Sequence, residues 1–252
     1  MTFQYFFTYK DQLPNNIGVG TFTPLHLSIL TVFFILIYLG IRYFKNKEAN
    51  LRHRFLLITA FLIPALELIR ILWVISLGIE ELIPSALLPF QLCGLMSVFV
   101  PWAVITRKPI LLELVYVGGI AGAGMALLTP DCTMYPLLNI QFIQSMLIHG
   151  LIFFAGWYLI LVEKYRPSIK NLPKLIGVMT ILALFVTPFN LMLQHQQANY
   201  FFLMSGLEGT ILETLNANNS QLIYLVYFTL LVISFLILLY LPWTIKLKTR
   251  KA

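Results

Sequence analysis

Charge is what this sequence has least of. Asp, Glu, Lys and Arg make up 11% of its 252 residues while 59% are hydrophobic, whereas a soluble domain carries roughly 25% charged residues. With a mean hydropathy of +0.85, the apolar surface is too large for water to solvate, which excludes an ordinary soluble domain and calls for a bilayer. Cysteine is nearly absent too. Cys93 and Cys132 are too few for a disulfide framework and lack metal-ligand spacing, so neither a metal nor another cofactor is expected. The first 24 residues hold no basic stretch followed by an apolar one, so no cleavable signal peptide is expected. Internal repeats of the kind found in many transporters are missing as well.

What is there is a series of long apolar runs. About 20 mostly apolar residues carry a helix across the hydrocarbon core, and seven stretches qualify: about 25–43, 54–77, 85–105, 110–129, 138–162, 172–193 and 221–243. Charged, proline-containing or polar breaks separate them, among them Ile79–Pro84, Arg107-Lys108-Pro109 and Thr129–Pro136. The fourth run is diluted by Gly118, Gly119, Gly122 and Gly124, but glycine is tolerated in membrane helices, and the spacing of Gly118 and Gly122 invites a close neighbour. The expected fold is all-α: a single transmembrane domain over residues 1–252, a polytopic bundle of seven helices.

The few charges then set the direction of threading. All but Lys10 and Arg70 of the 17 Lys and Arg residues fall in the segments after the first, third, fifth and seventh runs. The positive-inside rule puts those segments in the cytoplasm, with the N-terminus outside and the C-terminus inside. The net charge of +7 is therefore a topology signal, and nucleic acid is not an expected partner. The expected location is the cytoplasmic membrane of a bacterium, with membrane lipids as partners.

Polar groups inside apolar spans are expensive and tend to mark function. His26 opens the first run, Glu67 and Arg70 lie three apart in the second, Gln91 and Cys93 in the third, Gln144 and His149 in the fifth, and Asn190 in the sixth. At about 1.5 Å per residue, Cys93 comes out ~12 Å, His149 ~16 Å and Arg70 ~10 Å from the outer ends of their runs. One cavity open toward the outer leaflet would gather them. Each also has a plainer reading. Glu67 and Arg70 can neutralise each other, a lone intramembrane cysteine often acts as a small hydrophobe, and His149 can bond a backbone carbonyl. The Asn190 amide can satisfy a carbonyl freed by Pro188, and Cys132 reads as incidental. The run Gly119–Gly124 lies in a helix with no preceding strand and is no nucleotide fingerprint. The segment 194–220 has no Lys or Arg but has Asn199, Tyr200, Phe201, Phe202, Glu208 and Glu213. It suits an interfacial lid better than a solvated loop.

Five short motifs add a resemblance: Leu88-Pro89-Phe90-Gln91-Leu92-Cys93-Gly94, Ala126-Leu127-Leu128-Thr129-Pro130-Asp131, His149, Asn199-Tyr200-Phe201-Phe202-Leu203 and Leu239-Tyr240-Leu241-Pro242-Trp243. In this order, with His26 near the start, the chain resembles the YwaF-type bacterial membrane proteins and their animal relative, transmembrane protein 164. The animal member is regarded as an acyltransferase that moves a fatty acyl chain between phospholipids through a cysteine and a histidine. The resemblance implies Cys93 and His149 for those roles. Cys132 departs from the pattern, which has an apolar residue there.

The chemistry implied is reasonable for these residue types. A thiol attacks better when an imidazole takes its proton, and Arg70, Gln91 or Asn190 could stabilise an oxyanion. Glu67, Gln144, His26, Asn199 and Tyr200 complete the candidate substrate-binding set. The competing class is a non-catalytic lipid or small-molecule binder, a transporter or receptor, using the same polar groups.

Overall fold

The computed structural model describes residues 3–78, 86–207 and 209–249, the side chains of 245–249 excepted. The expected break Ile79–Pro84, with Ser85, Glu208 and the terminal residues 250–252, lies outside the described residues. Every regular element among the described residues is helical. The chain packs as two compact units, Met1–Pro89 with Cys93–Tyr165, and Phe90–Leu92 with Arg166–Ala252.

The first unit opens with a segment of short turns and then α1, Pro24–Phe44. Thr23 starts that helix because its side chain accepts from the His26 N–H while Pro24 takes the first helical position, where a missing N–H costs nothing. α2 is Ala49–Ser76 and α3 is Leu92–Thr106. α4, Pro109–Val117, runs through a π-helical stretch, Gly118–Ala123, into α5, Gly124–Leu128. α6 is Ile140–Leu161. It is the centre of the unit, packing against α1, α2, α4, the π stretch and α5.

Burial separates core helices from lipid-facing ones. In Pro109–Leu128 and Ile140–Leu161 the apolar stretch is 67% buried, against 17% in α1, whose Val32, Leu36 and Leu39 point outward. The close approach expected at Gly118 falls one residue later. A Cβ on Gly119 would stand 2.8 Å from the Ile152 carbonyl oxygen and 3.1 Å from the Gly156 Cα, whereas one on Gly118 would meet the flexible end of Met96. The helices therefore touch backbone to backbone at Gly119 and Gly156.

The N-terminal segment is sewn to one end of this unit. Val19 and Gly20 N–H groups donate to the Tyr135 and Thr133 carbonyls. The fully buried Asn139 caps α6 through its Oδ1, and its Nδ2 donates to Tyr5 and Thr8. The basic end is clipped differently. Arg107 donates to Glu163 at 2.8 Å and reaches His53 Nδ1 at 2.7 Å, and Arg52 Nε lies 3.8 Å from the same carboxylate.

In the second unit α7 is Leu172–Met192, α8 Ile211–Ala217 and α9 Gln221–Thr249. The segment between α7 and α8 folds onto the unit rather than into solvent: Tyr200 is buried and rings against Phe90, which also meets Phe185 and Phe189.

Among the described residues, six helical stretches are long and apolar enough to cross a membrane; the described part of the third expected span is not. α3 has 15 residues, ~22 Å of helix against a ~30 Å hydrocarbon core. The run from residue 85 looks continuous in hydropathy, but Pro89 disfavours helix at the residue before it, and Leu88–Phe90 precede the helix as irregular chain.

Candidate functional site

The late start of α3 changes where Cys93 sits. Instead of lying ~12 Å into a helix, it is the second residue of one, in the first turn, where backbone N–H groups lack intrahelical partners and the dipole favours negative charge. Gly94 makes this entry possible, because a Cβ there would stand 2.6 Å from the Pro89 carbonyl oxygen. Cys93 is half-buried and free of any disulfide.

Facing it is His149 on α6. Cys93 lies near enough to act electrostatically on the His149 ring. His149 Nδ1 lies 2.7 Å from the Ser145 carbonyl oxygen and 3.3 Å from Ser145 Oγ. A carbonyl only accepts, so Nδ1 carries the proton and Nε2 keeps the lone pair. Nine residues beyond the start of α6, His149 stands ~14 Å along that helix.

Glu67 and Arg70 form the expected pair. Arg70 Nη2 is 2.6 Å from Glu67 Oε1, Nε donates to both carboxylate oxygens at 3.1 Å, and Nη1 donates to the Ala86 carbonyl. These contacts use three of the five guanidinium N–H groups. The other two candidates of this unit are committed to backbone. Gln144 Nε2 donates to the Leu66 carbonyl at 3.3 Å, tying α6 to α2. His26, fully buried, accepts from the Phe22 N–H at Nδ1 and so donates through Nε2 to the Leu127 carbonyl at 3.1 Å, a strut between α1 and α5.

Four further candidates lie in the second unit, where they make one backbone knot. Gln91 donates to the Asn199 carbonyl at 2.9 Å and accepts from the Phe201 N–H at 3.0 Å. Asn190, fully buried, accepts from the Tyr200 N–H at 2.7 Å and donates to the Tyr200 carbonyl at 3.0 Å. Its amide therefore serves the loop, not a carbonyl freed by Pro188. Asn199 Oδ1 accepts from Met204 and Ser205. The knot holds Phe201 and Phe202 at φ 58° and 55°, left-handed conformations that cost non-glycine residues free energy.

Of three residues near His149, Ser145 escaped the sequence reading, and Asp131 and Cys132 were given no part in the site. Ser145 is buried. Cys132 is no incidental loop residue: it is 1% exposed, packs in a core cluster with Phe142 and Met146, and lies near the Ser145 side chain. Burial, ahead of the nearby Asp131 charge, pushes its thiol up to about 12. Asp131, exposed on the same turn, is close enough to act electrostatically on His149. The signal for Ser145 was its position four residues before His149, one helical turn away. Glu113 was also overlooked. It is fully buried in α4 and hydrogen-bonded to Tyr165, whose phenol is held above its ordinary range by burial and then by that carboxylate.

No curated protein and no solved structure matches the chain. The model of the TMEM164 family matches residues 21–240, from just before α1 to Tyr240 within the last helix, and the chain is an integral membrane protein belonging to that family.

Proposed function

We infer that this protein is a phospholipid acyltransferase or transacylase in which Cys93 is the nucleophile and His149 the general base. The observation that carries the reading is the thiol in a helix's first turn beside an imidazole whose Nδ1 proton is fixed by the Ser145 carbonyl. The base can take the thiol proton as the attack proceeds.

Sγ attacks the carbonyl carbon of a lipid ester while Nε2 takes the thiol proton. The tetrahedral oxyanion is met by first-turn N–H groups of α3 or by the remaining donors of Arg70. Collapse breaks the ester C–O bond, the departing lysolipid oxygen takes the proton from His149, and a thioester stays on Cys93. A second lysolipid hydroxyl then gives its proton to His149, attacks the thioester and leaves Cys93 as the reprotonated thiol. Gln91 and Asn190 drop out as oxyanion donors because their amides are bonded to backbone.

The proposed setting is a bacterial cytoplasmic membrane with seven membrane helices, the short α3 among them. The distribution of Lys and Arg supports an outer N-terminus and a cytoplasmic C-terminus. A reporter active only in the cytoplasm should work when fused after Ala252. Work only from a fusion within 194–220 would invert the topology.

The test of catalysis is chemical. Membranes supplied with a phospholipid carrying a labelled acyl chain should yield a hydroxylamine-sensitive label mapped to Cys93, and Cys93→Ala should lose both label and transfer. Full transfer by Cys93→Ala would end the nucleophile assignment and favour a lipid-binding protein.

A further inference from the structure

The groups behind His149 form a chain that the proposed reaction has not used. Ser145 Oγ lies 3.3 Å from His149 Nδ1, and the buried thiol of Cys132 packs against Phe142 and Met146 on the same part of α6, near Ser145. A hydroxyl has one proton and two lone pairs. Nδ1 carries a proton, as its 2.7 Å approach to the Ser145 carbonyl requires, so Oγ can only accept from it. The Ser145 proton is then free to turn toward the neighbouring Cys132 Sγ. Were it turned toward Nδ1 instead, it would compete for the opposite tautomer and point a hydrogen, not a lone pair, at Cys93.

We propose that Ser145 is a positioning residue for His149, and that Cys132 holds the Ser145 hydroxyl in the orientation this requires. The proposal rests on the reading of Cys93 and His149 as nucleophile and base. When His149 takes the thiol proton it becomes a cation, and both Ser145 oxygens then accept from a charged donor, which strengthens those bonds. Among the described residues, the ionisable groups acting on the ring are Cys93 from α3 and Asp131 from the turn after α5; Asp131 adds a negative charge that favours the same cation. The N-terminal segment fixes the turn through Val19 and Gly20, so Cys132 meets α6 in a set register.

The test uses the full-length protein in membranes, with two readouts. One is transfer of a labelled acyl chain between phospholipids. The other is the rate of alkylation of Cys93 by N-ethylmaleimide across pH, with the modified cysteine mapped by mass spectrometry; it needs no transfer. Ser145→Ala should lower transfer roughly three- to tenfold, the worth of one hydrogen bond expressed as a rate, and move Cys93 alkylation to higher pH. Cys132→Ala should shift both in the same direction by less, and Cys132→Ser, which restores an acceptor, should recover them. Asp131→Asn, on an exposed residue that need not disturb folding, should move the alkylation profile in the same direction by a smaller step. Unchanged alkylation profiles in Ser145→Ala and Cys132→Ala overturn the proposal, as does a Cys132→Ser protein no better than Cys132→Ala. If Ser145→Ala does not fold, the Cys132 pair decides. Loss of the catalytic reading is separate: it would appear as full transfer by Cys93→Ala, whatever the alkylation profiles do.

Discussion

Two polar clusters sit in this apolar protein, and they are built on opposite principles. Around Gln91, Asn190 and Asn199, each amide meets backbone groups of the loop between α7 and α8, donor to carbonyl and acceptor to N–H. Around His149, the Ser145 carbonyl takes one ring nitrogen, and among the described residues no backbone bond to the other is seen; the proposed reaction uses that second nitrogen. Polar residues in a membrane protein mark chemistry when a reactive atom is left over after the backbone has been served. Where nothing is left over, they mark a fold that could not otherwise form in lipid.

That difference predicts unlike consequences of substitution. The largest effect should come from His149→Gln, which removes the general base but keeps a polar side chain. Transfer should fall by about 10²–10⁴-fold, with the protein still folded and Cys93 still slowly alkylated by an apolar thiol reagent. A comparable fall in folded yield would move His149 into the structural cluster and break the comparison.

Arg70 tests the ground between the two clusters, since it serves both a carboxylate and a backbone carbonyl. Arg70→Leu leaves Glu67 without its cation, at a cost of roughly 3–5 kcal/mol. Paired with Glu67→Gln, the same substitution should recover much of the folded yield. Equal yields would mean that the two side chains do not depend on each other. Asn190→Ala should act on stability alone, because it strips the Tyr200 N–H and carbonyl of partners at roughly 1–3 kcal/mol each, read as a lower melting temperature in detergent.

How much of this was legible beforehand follows the same division. Six spans could be read from hydropathy because a long apolar helix announces itself by length and composition. The start of α3 could not, since Leu88, Pro89 and Phe90 count as apolar although the proline keeps them out of the helix, and Cys93 was expected well inside a helix rather than in its first turn. Glu113 was visible as a single acid in a leucine-rich run and was passed over; its partner Tyr165 lies 52 residues on, beyond any local pattern. Ser145 and Cys132 were hidden for a different reason. A serine in a helix and a cysteine in a turn gain meaning only when the fold sets one against the other. The Asn199 loop was read as a lid because its aromatic content could be seen, but its hydrogen-bond partners could not.

The smallest predicted effect is the sharpest test of the comparison, because Gln91 belongs to the backbone knot yet stands two residues before Cys93 in sequence. If its amide serves only Asn199 and Phe201, Gln91→Leu should cost about 1–3 kcal/mol of stability, toward the lower end because the side chain is only half-buried. Turnover per folded molecule should stay near its original value. Gln91→Glu should be worse than Gln91→Leu, since it keeps the acceptor for the Phe201 N–H but turns a carboxylate oxygen toward the Asn199 carbonyl. An oxyanion donor would behave the other way, with stability held and kcat falling by about 10²–10³ while KM stays put. Measuring kcat, KM and melting temperature on the same two variants separates these outcomes. A loss confined to kcat would carry Gln91 out of the knot and into the site.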